Sequence, residues 1–331
     1  MRCAVVGAGA WGTALADLLA TNGADVKLWA FERDVAATIN ARHENPRFLP
    51  SVPLAPAVEA TSDLADALSA ASLVLYAVPS AHLRGVARSG ARSVAPGAIL
   101  AVATKGIEQD TLALMTDVVE AEVPGRPVVA LSGPSFAAEV AAGQPTAVVA
   151  GSRDVVAAQQ VQELLSSATF RVYTHDDVAG VELGGSLKNV MAVATGIAEG
   201  VGLGFNSRAA LITRGLAEMT RLGLALGAQA GTFAGLAGIG DLVLTCTGAL
   251  SRNRAVGLAI GKGATLEQAL AGKESVAEGV ATARSARELA QRQGVEMPIV
   301  ETVYRVLFES YPARHSVIAL MSRGLRAERD A

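Results

Sequence analysis

Cysteine is almost absent from this chain, with two in 331 residues, Cys3 and Cys246. Each sits among apolar or small residues, and no Cys/His cluster has metal-ligand spacing. A disulfide framework and a metal site are therefore excluded, and both thiols are expected reduced and buried. Aromatics are scarce too, at 4%, which leaves core packing to Ala, Val and Leu. Neither sign of charge dominates: 28 basic against 31 acidic residues give a net charge of −3. With no basic stripe, nucleic acid is not an expected partner. No run of about 18 apolar residues is free of charges or clustered glycine. The mean hydropathy of +0.36 is accordingly read as buried parallel strands and Ala-rich helices, not as a membrane span. With the first strand candidate at the very start of the chain, no signal peptide is expected, and the reduced cysteines make a cytoplasmic protein the expectation.

What the chain does have is glycine, 34 of them, and 51% hydrophobic residues, enough for a large core. At roughly 150 residues per domain, its length favours two. Arg2–Val6 is an apolar run that ends in Gly7-Ala8-Gly9-Ala10-Trp11-Gly12. Trp11–Ala20 then reads as a helix and Val26–Trp29 as a second strand. Ser72–Val78, Ala98–Ala103, Pro127–Leu131, Thr146–Ala150 and Phe170–Tyr173 complete the strand candidates. Three of these runs end in polar loops marked by Gly or Pro, suiting one shared crevice at their carboxyl ends. His43–Pro56 carries Pro46, Pro50, Pro53 and Pro56 and reads as a loop or extended insert. Past Val178 long Ala/Leu/Gly segments with helical spacing take over, clearest at Val178–Gly200, Ser207–Gly227 and Ala277–Gln293. The expected fold is α/β: a Rossmann-type doubly wound sheet domain over 1–178, then an all-helical domain over 179–331.

A lone GxGxxG pattern is weak evidence, but here it follows a strand and opens a helix. Gly7 permits the tight turn, Gly9 lets a pyrophosphate approach the backbone, and Gly12 lets the helix pack closely. The free N–H groups at the helix start favour phosphate. At the end of the second strand Glu32 can hold ribose hydroxyls, as for NAD, or Arg33 can meet a 2′-phosphate, as for NADP; both can equally be solvated turn charges. Lys105, after a buried strand, either grips an anion or faces solvent. Lys188-Asn189 lies in an otherwise apolar, Gly-flanked stretch. A lysine there is partly desolvated and suited to proton transfer, or else it snorkels to the surface. Asp241, among glycines and apolar residues, is either a helix N-cap or a buried acid needing a partner, for which Lys188 is a candidate. Ser251-Arg252-Asn253-Arg254 precedes a helical stretch over Ala255–Ile260. It is either a capped helix start or an anion site built from Arg252, Asn253 and free N–H groups.

Together these segments resemble the bacterial NAD(P)-dependent sn-glycerol-3-phosphate dehydrogenases. The matching strings are GAGAWGTALA (7–16), ATKG (103–106), SGPSFAAE (132–139), ELGGSLKNV (182–190), ITRGLAEM (212–219), GIGDLVLTCT (238–247), SRNR (251–254) and AEG (277–279). They run through nearly the whole chain in family order. The resemblance implies reversible reduction of dihydroxyacetone phosphate by NADH or NADPH to sn-glycerol 3-phosphate, for glycerophospholipid synthesis. Lys188 matches the family's catalytic lysine, and Asp241 would orient it. Lys105 would contact substrate and cofactor. Gly133, Ser135 and Asn189 would line the substrate site. Ser251, Arg252 and Asn253 match the substrate-phosphate site. Ala10, Trp11, Phe31, Ala137, Arg252, Val276 and Glu278 match cofactor positions. A homodimer is implied on the same basis. Many family members carry His or Arg where this chain has Phe31, which weakens an NADP preference unless Arg33 substitutes. Related 3-hydroxyacid or 6-phosphogluconate-type dehydrogenases share the two-domain plan, but the SRNR and GIGDLVLTCT strings argue against them. A non-catalytic dinucleotide sensor would not need Lys188, Asp241 and Arg252.

Overall fold

A computed structural model describes residues 1–272, 277–322, 324–325 and 327–328. Val276 lies outside the described residues. Contacts divide the chain into one unit of Met1–Lys105 with Ala113–Val178 and another of Gly106–Leu112 with Ala179–Ala331.

The first unit is built on ten strands: β1 (Arg2–Val6), β2 (Asp25–Trp29), β3 (Glu44–Asn45), β4 (Leu49–Pro53), β5 (Val58–Thr61), β6 (Leu73–Tyr76), β7 (Ile99–Val102), β8 (Val128–Ser132), β9 (Thr146–Gly151) and β10 (Phe170–His175). Eight form one sheet in the order β10-β9-β8-β7-β6-β1-β2-β5, while β3 and β4 pair as a separate ribbon. The strands are continuous apolar runs because both sheet faces are covered. Cys3, Val5, Leu73, Leu75 and Ala101 belong to the core on one face; Ala4, Val6, Val74, Tyr76 and Val102 belong to the core on the other. Strand order reverses beside β1, the position where doubly wound sheets open a ligand crevice.

Two features differ from the expectation, and a third sharpens it. β9 runs antiparallel to β8, since an apolar strand reads the same in either direction and only its pairing sets its sense. β5 extends the sheet beside β2; with only Val58 and Ala60 buried, its edge sequence carried too little hydrophobic signal. The proline-rich segment contains the β3–β4 ribbon, its prolines tolerated on a two-stranded edge.

The second unit is helical among its described residues. Helix Val178–Gly200 is buried throughout Gly180–Ala198, as a helix apolar on all sides should be. Around it lie Phe205–Ala225, Asp241–Thr247, Arg252–Gly261, Glu278–Arg292, Pro298–Phe308 and shorter segments. Backbones meet directly: a Cβ at Gly184 would lie 2.2 Å from the Ala237 carbonyl, and one at Gly257 2.1 Å from that of Val193. Gly106–Leu112 belongs here because the Ser186 hydroxyl bonds both the N–H and carbonyl of Gly106, at 2.9 and 3.0 Å, while Gln109 donates to the Ala281 carbonyl at 2.8 Å. Ala230–Thr247 has the length and hydropathy of a membrane span, with a mean hydropathy of 1.3. It is not one straight helix: it breaks at Gly238 (φ −95°, ψ −105°) and carries the ion-paired Asp241.

Candidate active site

In the first unit, β1 ends in the glycine turn and helix Ala10–Thr21 starts at once. Gly7 has φ +116°, and a Cβ there would lie 2.9 Å from the Ala77 carbonyl, so turn and β6 end meet backbone to backbone. A Cβ at Gly12 would lie 1.8 Å from the Gly7 carbonyl. Gly9 is the opposite case: nothing lies within 4 Å of its Cβ position. With glycine as N-cap, no capping side chain satisfies the first-turn amides of Ala10, Trp11 and Gly12. The Trp11 indole N–H is buried without a hydrogen-bond partner. An open cradle, unsatisfied amides and the positive end of a helix dipole fit a dinucleotide pyrophosphate.

Past β2, Phe31 is 78% exposed and edge-on to Trp29. Glu32 is the N-cap of helix Arg33–Arg42 but makes no side-chain capping bond, and Arg33 is exposed. Both charges are available to either cofactor. The loops after β7 and β8 are tied together. The Gly133 carbonyl accepts from Lys105 Nζ at 3.3 Å and from Ser135 Oγ at 2.9 Å. Gly133 has φ +138°, and a Cβ there would lie 2.9 Å from Val148 Cα. Thr104 Oγ1 donates to the Val78 carbonyl at 2.7 Å, fixing the end of β6 as well. Ala137 opens the helix Ala137–Ala141.

In the second unit, Lys188 is 7% exposed and Asp241 fully buried, and Lys188 Nζ forms an ion pair and hydrogen bond with Asp241 Oδ1. The snorkelling reading of Lys188 therefore fails. Asp241 is the first residue of helix Asp241–Thr247, behind N-cap Gly240. Close packing of Gly184 on Ala237 brings the two segments together; Lys188 stands one helical turn beyond Gly184, and Asp241 follows the break at Gly238. Thr245, one turn beyond Asp241, donates to its carbonyl at 2.7 Å and to Oδ1 at 3.3 Å. Buried charges persist when paired and hydrogen-bonded, as here.

Ser251 caps helix Arg252–Gly261, its hydroxyl accepting from the Arg254 N–H at 3.2 Å. Asn253 is buried: Nδ2 donates to Asn189 Oδ1 and Oδ1 accepts from the Gly279 N–H, both at 2.9 Å. Asn189 Nδ2 donates in turn to the Gly185 carbonyl at 3.3 Å. These two amides thus join the Lys188 helix, the Arg252 helix and the helix that Glu278 opens. Arg252 makes no hydrogen bond or ion pair among the described residues. Although its side chain reaches solvent, the surrounding chain partly desolvates the guanidinium and lowers its pKa below the ordinary arginine value, against a smaller opposing effect of Glu278. Exposed at the helix start, it is a cation available to an anion.

The sequence reading did not single out three supporting residues. Thr245 steadies Asp241, and its only sequence signal is the four-residue spacing on one helix. Ser186 holds Gly106. Glu199 binds Arg254 through both carboxylate oxygens and also meets Arg208 at 2.9 Å, anchoring the Arg252 helix from its third residue.

Comparison with known proteins is consistent along the chain. The family model described as NAD-dependent glycerol-3-phosphate dehydrogenase N-terminus matches residues 2–158, and the corresponding C-terminus model matches residues 177–318. The chain is 55% identical over 331 residues to a glycerol-3-phosphate dehydrogenase (NAD(P)+) of Geobacter sulfurreducens, covering 99% of both. It is 50% identical to one of Nitratidesulfovibrio vulgaris, covering 99% of this chain and all of that one. The crystal structure of glycerol-3-phosphate dehydrogenase from Coxiella burnetii superposes with a TM-score of 0.94 at 41% identity, over 97% of this chain and 99% of that one.

Proposed function

The chain belongs to the NAD-dependent glycerol-3-phosphate dehydrogenases, and from that premise we propose that Lys188 is the proton donor to the substrate carbonyl. The enzyme is an oxidoreductase that interconverts dihydroxyacetone phosphate and sn-glycerol 3-phosphate with NAD or NADP. Bound NADH or NADPH supplies the hydride that the carbonyl carbon receives. Lys188 Nζ gives its proton to the carbonyl oxygen, completing the alcohol, and recovers it in the reverse direction. Asp241 fixes the ammonium and offsets its charge, and Thr245 fixes Asp241. The observation that carries this reading is the buried Lys188–Asp241 pair.

Arg252 and the amides at the start of its helix hold the substrate phosphate. Ser251 serves as that helix's cap, while Asn253 and Asn189 keep the helix start and Lys188 in fixed relation. Lys105, positioned by the Gly133 carbonyl, adds a second cation for substrate and cofactor, with Ser135 beside it. The turn Gly7–Gly12 holds the pyrophosphate, with Ala10 and Trp11 in its first turn. Ala137, Glu278 and Arg252 are further cofactor contacts, and Phe31, Glu32 and Arg33 face the adenosine end. In this division residues 1–178 bind the dinucleotide and 179–331 carry the acid/base and phosphate chemistry. The product feeds glycerophospholipid synthesis in the cytoplasm, and the active species is a homodimer, testable by sedimentation. The decisive kinetic test of the phosphate site is Arg252→Ala. KM for dihydroxyacetone phosphate rises at least about tenfold, in line with loss of a charge-assisted bond, with kcat less affected. An unchanged KM removes Arg252 from the site.

A further inference from the structure

The proline-rich ribbon has no part in the assignments above, yet it grips the dinucleotide turn. Asn45, on β3, is 1% exposed. Its Nδ2 donates to the Ala8 carbonyl at 2.9 Å and to Thr13 Oγ1 at 2.8 Å, while its Oδ1 accepts from the Phe48 N–H at 3.3 Å. Thr13 Oγ1 donates to the same Ala8 carbonyl at 3.2 Å. Just past the ribbon, the Ala55 N–H donates to Asp17 Oδ1 at 2.7 Å, on the helix that the turn opens. Burial raises the pKa of that Asp17 carboxyl and the Ala55 bond lowers it.

The Ala8–Gly9 peptide is trans, like every peptide bond described. In a trans peptide the carbonyl and the following N–H point in opposite directions. Two donors hold the Ala8 carbonyl toward Asn45 and Thr13, so the Gly9 N–H is turned away from them. Gly9, with nothing within 4 Å of its Cβ position, leaves the following side of this peptide plane few steric restraints of its own. Were it to rotate, a carbonyl oxygen would swing to the side on which an anion must bind. One amide nitrogen with two hydrogens is what this task needs, because it must reach two acceptors at once; an aspartate has no hydrogen to give.

We propose that Asn45 is a positioning residue for the cofactor, locking the Ala8–Gly9 peptide so that its N–H is presented to the pyrophosphate. This rests on the reading of the glycine turn as the cofactor site. The test measures NADH, ADP and adenosine affinity, with kcat and both KM values, on the full chain. In Asn45→Ala, NADH and ADP weaken about tenfold, ~1.4 kcal/mol, and adenosine, which lacks phosphate, does not. KM for NADH rises while KM for dihydroxyacetone phosphate holds. Asn45→Asp weakens NADH further, setting a carboxylate against the Ala8 carbonyl. Thr13→Val, which removes one of the two donors, gives the same pattern at smaller size and serves if Asn45→Ala does not fold. NADH affinity within twofold of the parent in a folded Asn45→Ala, or in Thr13→Val, overturns the proposal. So does an equal loss for adenosine, which marks general loosening. Gly9→Val separates the two readings: if it leaves NADH binding intact, the turn is not the cofactor site; if it abolishes binding while Asn45→Ala does not, only the role of Asn45 fails.

Discussion

Replacing Lys188 by Met separates what the buried ion pair does for catalysis from what it does for stability. Asp241 is fully buried, so the variant leaves a carboxylate out of water without the ammonium that offsets its charge. Breaking one side of a buried pair costs about 3–5 kcal/mol, because the surviving charge is uncompensated. Loss of a general acid lowers kcat by at least about a hundredfold. Adding Asp241→Asn removes the stranded charge in nearly the same volume. The double variant should regain about 2 kcal/mol, short of full recovery because the new amide is imperfectly paired. Its kcat should stay at the level of the single variant. Urea unfolding followed by the helical circular dichroism signal gives the stabilities, and saturating NADH with dihydroxyacetone phosphate gives the rates. A single variant within about 1 kcal/mol of the parent, or a double variant less stable than the single, refutes the uncompensated-charge argument. A near-parental kcat in Lys188→Met removes the lysine from the mechanism.

Three other expectations follow from the structure. Burial pushes the Cys3 thiol up to about 11 and the Cys246 thiol to about 12. The folded chain should therefore resist thiol reagents at mildly alkaline pH and expose two reactive thiols in denaturant; fast labelling of the native protein would contradict this. Glu218 is 3% exposed, and its carboxylate accepts from the Ile299 and Val300 N–H groups at 2.8 and 3.3 Å, at the start of helix Pro298–Phe308. Glu218→Gln keeps one acceptor and should cost about 1–3 kcal/mol with kcat unchanged; equal stability to the parent would show that the charge contributes nothing. Phe31→Arg places a guanidinium past β2 and should shift kcat/KM toward NADPH over NADH; an unmoved ratio would mean that the 2′ position is read elsewhere.

The parts of this chain legible in its sequence are those where one strong physical demand acts locally. Strands such as Leu73–Tyr76 announce themselves because both sheet faces are buried, and the glycine turn because strand, turn and helix are contiguous. Lys188 and Asp241 could be matched from sequence because each is an isolated charge in an apolar stretch. Other features depend on pairing at a distance. The reversed sense of β9 is set by its neighbours. Asn45 acts on backbone atoms 37 positions away, and nothing in the text of a proline-rich loop marks a carbonyl it will hold. Asn189 and Asn253 show a further limit: motif matching brought them forward, and the structure adds that each already has partners within the helical unit.

The backbone contacts along helix Val178–Gly200 also determine which length changes the protein can accept. Gly184 is seated on Ala237, and Gly257 on Val193. Each added residue turns the rest of a helix by about 100°. A single insertion or deletion after Gly184 and before Val193 could not satisfy both seats while keeping Lys188 facing Asp241. The segment should therefore evolve by substitution at fixed length, and length variation should gather where no backbone is clasped, as in the loop that follows Gly261.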